Sequence, residues 1–64
     1  MVKVNGEQVD VAGKTIAQYL IENGFDLKRV AVMRNDEIVP KAECDTVVLC
    51  EDDTVEVVSF VGGG

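Results

Sequence analysis

Asn5-Gly6 sits between two short runs in which valine alternates with charged or polar residues, Val2-Lys3-Val4 and Glu7-Gln8-Val9-Asp10-Val11. Asn-Gly is the dipeptide best suited to the positive φ angles of a tight hairpin turn, and period-two alternation is the pattern of a strand with one buried face. The chain therefore opens as a β-hairpin. Val2, Val4, Val9 and Val11 are expected on the inward face, with Lys3, Gln8 and Asp10 in solvent. A valine face of this kind commits the domain to a sheet with a packing layer on one side.

That layer comes next. Ala12-Gly13-Lys14 breaks the alternation, and Thr15 can cap a helix with Gln18, three residues later, as its capping-box partner. Ile16, Ala17, Leu20 and Ile21 recur at helical spacing to about Asn23, where Gly24 suits the left-handed C-terminal cap. Phe25 and Leu27 are expected beneath the helix end. Val30-Ala31-Val32-Met33 is a continuous apolar run and reads as a strand inside the sheet. After a turn at Asn35-Asp36, Glu37-Ile38-Val39 ends at Pro40, which has no amide hydrogen and suits a strand end. Residues 41–46 read as loop, Val47 to Cys50 as a further apolar segment, and Glu51-Asp52-Asp53 as a turn before a last strand, Thr54 to Phe60. If Val55 and Val57 point to the core, Val58 and Phe60 lie on the outer face. The order ββαβ with one or two further strands gives an α+β fold: a mixed sheet of four to five strands with one main helix on one face.

Size and charge restrict function. A chain of 64 residues makes one domain, residues 1–64, and buries only roughly 60% of its unfolded surface, too little to wall a deep substrate pocket and keep a core. A carrier or binding role is expected rather than catalysis. Twelve acidic against six basic side chains give a formal charge of −6, which repels nucleic-acid phosphates and favours a basic protein partner. Residues 1–11 lack a signal-peptide pattern, and no apolar run approaches the roughly 20 residues of a membrane span, so a cytoplasmic protein without a membrane partner is expected. Cys44 and Cys50, without any histidine, cannot complete a four-ligand zinc site. They read as buried or inert thiols, with redox chemistry the alternative.

The chain closes on Gly62-Gly63-Gly64. Consecutive glycines make residues 61–64 a flexible tail that can thread a channel too narrow for side chains. A terminal carboxylate is ionised at neutral pH and a poor electrophile until activated, for example as an anhydride made with ATP. No phosphate-binding glycine loop precedes a helix here, so activation falls to a partner. A frayed terminus is the competing reading.

The segments Val4-Asn5-Gly6-Glu7, Thr15-Ile16-Ala17-Gln18-Tyr19-Leu20, Arg29-Val30-Ala31-Val32 and Glu37-Ile38-Val39-Pro40 resemble the ThiS family of thiamine-biosynthesis sulfur carriers, as does the close from Asp53-Thr54-Val55-Glu56-Val57-Val58 through Phe60-Val61-Gly62-Gly63-Gly64. The resemblance implies a ubiquitin-like β-grasp fold. It further implies that an E1-like adenylyltransferase of the ThiF type uses ATP and magnesium to adenylate the carboxylate of Gly64, while this chain binds neither cofactor. A sulfur donor such as a cysteine desulfurase then yields a thiocarboxylate, which thiazole synthase of the ThiG type consumes. Gly62 and Gly63 would thread into the partner site, and Val58 and Phe60 would dock. Asn35-Asp36 and Asp52-Asp53 stand in turns that often hold glycine in the family, and Cys44 where a bulkier residue is common. Rival functions are a carrier for molybdopterin or tRNA thiolation, a ubiquitin-like protein modifier joined through Gly64 to a target lysine, and a plain interaction module. A monomer is expected.

Overall fold

The Asn5-Gly6 turn forms as its composition dictates, with φ of 50° at Asn5 and 84° at Gly6 in a computed structural model that describes residues 1–60. The tail at residues 61–64, with Gly62, Gly63 and Gly64, lies outside the described residues. The turn joins β1 (Val2–Val4) to β2 (Glu7–Val9), antiparallel with Val2 opposite Val9. Val2 and Val4 are buried, and Val9 and Val11 are half-buried against the core at the sheet's edge.

Helix α1 spans Ile16–Glu22. Its start is the expected capping box: the Gln18 amide donates to Thr15 Oγ1 at 3.1 Å, and the Thr15 amide donates to Gln18 Oε1 at 2.9 Å. Its end is closed by Gly24 at φ 80°, with the Phe25 amide donating to the Leu20 carbonyl at 2.9 Å and the Gly24 amide to that of Ile21 at 3.1 Å. Ile16, Ala17, Tyr19 and Leu20 are buried. Tyr19 thus belongs to the apolar stripe and Ile21, 63% exposed, does not. The helix has only two turns, and 100° per residue carries Ile21 past the edge of a stripe centred on Ile16 and Leu20.

A 3₁₀ turn, Leu27–Arg29, leads into β3 (Val30–Arg34), which pairs antiparallel with β4 (Glu37–Val39) and with β5 (Thr54–Ser59). β5 also runs parallel to β1, so the sheet order is β2-β1-β5-β3-β4. This is the β-grasp arrangement, with five strands and the helix on one face. Val2, Val4, Val30, Val32, Val55 and Val57 meet the helix stripe in one core, joined by Cys44 and Leu49.

Two segments differ from their sequence reading. Residues expected to be plain loop contain a 3₁₀ turn, Lys41–Glu43. The apolar run at Val47 to Cys50 stays out of the sheet: the Ile16 amide donates to the Val47 carbonyl at 3.0 Å, the Leu49 amide to that of Lys14 at 2.8 Å, and the Gly13 amide to that of Leu49 at 2.8 Å. Its backbone groups are taken by the lead-in to α1, and Leu49, 1% exposed, plugs the core from that side.

The unusual turns are also explained. Asn35, Asp36 and Asp52 have φ of 51°, 69° and 69°, the region glycine occupies without cost and Asn or Asp tolerate. Asn5 does more than turn. Its side chain accepts from the Val57 amide at 2.8 Å and donates to the Val57 carbonyl at 3.2 Å, continuing the β1 flank of β5 after β1 has ended.

Two substitutions at positive φ are expected to act in opposite directions in urea unfolding. Asn5→Gly keeps the turn but leaves both Val57 groups without that partner, and should lower stability by about 1–3 kcal/mol. Asp36→Gly removes left-handed strain from an exposed residue and should raise stability by up to about 1 kcal/mol.

Candidate functional site

The face of the sheet away from α1 carries an apolar stripe. β5 turns Val55 and Val57 inward, at 2% and 8% exposure, and so turns Val58 outward at 56%, with Phe60 at 55% just past the strand. Val58 and Phe60 are therefore on the outer face, as read from the sequence. Residues directly opposite on neighbouring strands point to the same side. Ala31 on β3 stands opposite Val58, and Met33 stands opposite both Glu56 on β5 and Ile38 on β4. Ala31 and Met33 are half-buried and Ile38 is 75% exposed. The stripe thus runs from Ile38 through Met33 and Ala31 to Val58 and on to Phe60. Ala31, Met33 and Ile38 were not singled out from the sequence, because their membership depends on the pairing register.

Phe60 is held at the root of the tail. Its amide donates to the Arg29 carbonyl at 2.7 Å, one residue beyond the Val30–Ser59 pair. The strand is therefore clamped as far as the last described residue.

The opposite end of β5 holds the one buried charged side chain among the described residues. Asp53 is 6% exposed and accepts from Arg34 Nε at 2.8 Å, from Asn35 Nδ2 at 3.0 Å and from the Cys50 amide at 2.8 Å. Asn35 Oδ1 in turn accepts from the Thr54 amide at 2.9 Å. Burial alone would raise the Asp53 pKa; the Cys50 amide, Arg34 and Asn35 outweigh it and hold the carboxyl below its usual value. With its oxygens occupied by these donors, this carboxylate ties three segments together and is not arranged to move a proton.

The cysteines separate. Cys44 is buried in the core, its carbonyl accepting from the Ala17 amide of α1, and burial, then Asp45 and Glu43, push its thiol pKa up. Cys50 is on the surface, with its sulfur 3.7 Å from Arg34 Nη2. Both thiols are free. Two open clefts of about 220 and 210 Å³ flank the sheet, one between Met1 and Thr54 and one between Arg34 and Val47. Among the described residues no three His, Cys, Asp or Glu side chains gather as metal ligands, and no helix is long and apolar enough to cross a membrane.

Comparison with known proteins agrees with this architecture. Residues 2–64 match the ThiS family. The sulfur carrier protein ThiS of Thermus thermophilus is 42% identical over 64 residues, covering all of both chains. A thiazole synthase of Paramagnetospirillum magneticum is 44% identical over 62 residues, covering 95% of this chain but 19% of that protein. The chain spans about a fifth of the length of the curated thiazole synthases it matches. The crystal structure of the thiamine biosynthesis protein ThiS from Geobacter metallireducens superposes with a TM-score of 0.75 at 28% identity, covering 98% of this chain and 97% of that one.

The Asp53 cluster makes a pH prediction. Its folded pKa lies below the unfolded value of about 3.9, so its contribution is present above that pH and is lost as pH falls through the folded pKa. The stability difference between the native chain and Asp53→Asn, measured by urea unfolding, should be constant from pH 7 to 5 and shrink between about pH 4 and 2.

Proposed function

Because this chain belongs to the ThiS family, we propose that it is a sulfur carrier of thiamine biosynthesis that works through the carboxylate of Gly64. The observation that carries the reading is the match along the whole length to a protein named as such a carrier, on a fold whose central strand leads straight into the glycine tail.

The chemistry follows from the state of that group. An ionised carboxylate repels nucleophiles and has no adequate leaving group. Attack of one of its oxygens on the α-phosphorus of ATP expels pyrophosphate and gives an acyl-adenylate. The terminal sulfur of the donor's persulfide then adds at the carbonyl carbon and AMP departs, leaving an acyl disulfide; a second thiol attacks the donor-side sulfur, forming a new disulfide with it, and the terminus leaves as a thiocarboxylate. A ThiF-type adenylyltransferase supplies ATP, magnesium and the catalytic groups; a cysteine desulfurase is the fitting source of sulfur. Gly62 and Gly63 suit a narrow approach to that active site, since they add no side chains. Residues 61–64 extend at most about 14 Å beyond Phe60, so the partner's reacting centre must lie within that distance of the docked sheet. The cytoplasm, where ATP is available, is the expected compartment.

Thiazole synthase of the ThiG type is the proposed acceptor. Support comes from proteins named thiazole synthase that contain a segment like this chain within a much longer polypeptide. The Ile38, Met33, Ala31, Val58 and Phe60 stripe is the proposed docking surface for both partners in turn, because apolar area at the tail root brings the carboxylate along with it.

Incubation with a ThiF-type adenylyltransferase, ATP and a sulfur donor should raise the intact mass by the exchange of one oxygen for sulfur. An unchanged mass, under conditions where a control carrier reacts, would exclude the reading. Val58→Asp and Phe60→Asp should weaken binding to the adenylyltransferase by at least about tenfold while altering stability by no more than about 0.5 kcal/mol, since both are exposed. A large fall in the unfolding midpoint would instead make them core residues.

A further inference from the structure

The charge of −6 is not spread evenly, and its exception lies at the tail root. The 3₁₀ turn Leu27–Arg29 carries Lys28 and Arg29, and the Arg29 carbonyl is the group that accepts from the Phe60 amide. Lys41, from the other 3₁₀ turn, reaches over so that its Nζ donates to the Lys28 carbonyl at 2.8 Å. Three of the six cations of the chain are thus gathered where β5 ends. The carboxylate in contact with them is Asp26, 3.6 Å from Arg29 and bonded to the Lys28 amide, while Asp45 and Glu43 lie on the Lys41 side, around Cys44. Glu43, although close to Lys41 in sequence, lines the cleft with Arg34 and Glu37. Glu22 is paired with Lys14. Among the described residues neither Lys28 nor Lys41 has a carboxylate partner within ion-pair distance.

The other end of β5 is acidic. The amino group of Met1 pairs with Glu51 and Arg34 with Asp53, while Asp52, Asp10 and Lys3 stand beside them, so the carboxylates at this end exceed the cations. Thr54 to Phe60 covers roughly 20 Å of extended chain, so the two ends form poles of opposite sign. Such a charge distribution experiences a torque in a partner's field before contact, which selects an orientation as well as a rate.

We propose that Lys28, Arg29 and Lys41 form a cationic collar that pairs with a carboxylate-rich rim around the entrance to the adenylyltransferase site, turning the carrier tail-first on approach. The proposal rests on the carrier reading above and adds the chemistry of the surface that receives it. It also revises the expectation from net charge, because a uniformly basic partner would attract the wrong end. The acidic pole faces away from the entrance, and the apolar stripe then makes the close contact.

The test follows pyrophosphate release by a ThiF-type adenylyltransferase as a function of carrier concentration, from about 50 to about 500 mM salt. With the native chain, kcat/KM should fall as salt screens the attraction. In the double variant Lys28→Glu and Lys41→Glu, kcat/KM at low salt should drop on the order of tenfold and the salt dependence should flatten or reverse, with kcat at saturation retained because the tail is intact. Lys28→Arg with Lys41→Arg should restore both. Glu51→Lys, at the far pole, should leave kcat/KM within about twofold. Circular dichroism and the urea midpoint of each variant would establish that it is folded. A native rate indifferent to salt, or a double Glu variant equal to the native chain, would overturn the collar and leave the carrier reading standing. No pyrophosphate release from the native chain would remove both.

Discussion

β5 is the central strand of the sheet, and its pairing on both sides joins the two hairpins into one layer. β5 has β1 parallel on one side and β3 antiparallel on the other, so its backbone groups must be met from both. On the β1 side the strand ladder is short, ending at Val4 opposite Val55; the Asn5 side chain then takes both polar groups of Val57. On the β3 side pairing continues to Val30 opposite Ser59 and to the Arg29 carbonyl at Phe60. Leaving a buried amide or carbonyl without a partner costs about 1–3 kcal/mol, a large fraction of the roughly 5–15 kcal/mol that holds a domain folded. β5 therefore holds the two halves of the sheet together around one core.

This arrangement makes the proposed working end inseparable from the fold. A tail following an edge strand or a loose terminus would leave its starting point undefined. Here it follows the strand held from both sides, and the alternation that buries Val55 and Val57 also exposes Val58 and Phe60. The apolar stripe and Phe60 share one support in β5, which is why the stripe is the proposed docking surface. Buried polar chemistry is concentrated at the other end, where Asp53 draws Arg34, Asn35 and the Cys50 amide around the start of β5. Rigidity at that end and presentation at the other are two consequences of one strand.

Much of the fold could be read in advance because its causes are local. The capping box at Thr15 and Gln18, the Gly24 cap and the Asn5-Gly6 turn each depend on neighbours within a few residues. The Val55 and Val57 alternation likewise needs only the two-residue period of a strand. What escaped was non-local. Val47 to Leu49 has the composition of a strand, yet its partners are Gly13, Lys14 and Ile16, more than thirty residues earlier. Asp53 looked like one acid in a turn of three, since nothing in the run Glu51-Asp52-Asp53 marks which of them faces Arg34.

The sequence by itself determined the elements, their inward faces and, through the ThiS resemblance, the glycine carboxylate proposed to carry sulfur. Those properties follow from periodicity, turn chemistry and the residues quoted for the family, all of which survive without knowledge of the contacts. Tertiary structure alone decided that Ile38, Met33 and Ala31 extend the Val58 and Phe60 surface, that Lys28, Arg29 and Lys41 gather at its end, and that Asp53 is buried. Each of these depends on strand register or on loops brought together from distant parts of the chain. A shift of one residue in the β3–β5 pairing would send Ala31 and Met33 to the core and dissolve the stripe.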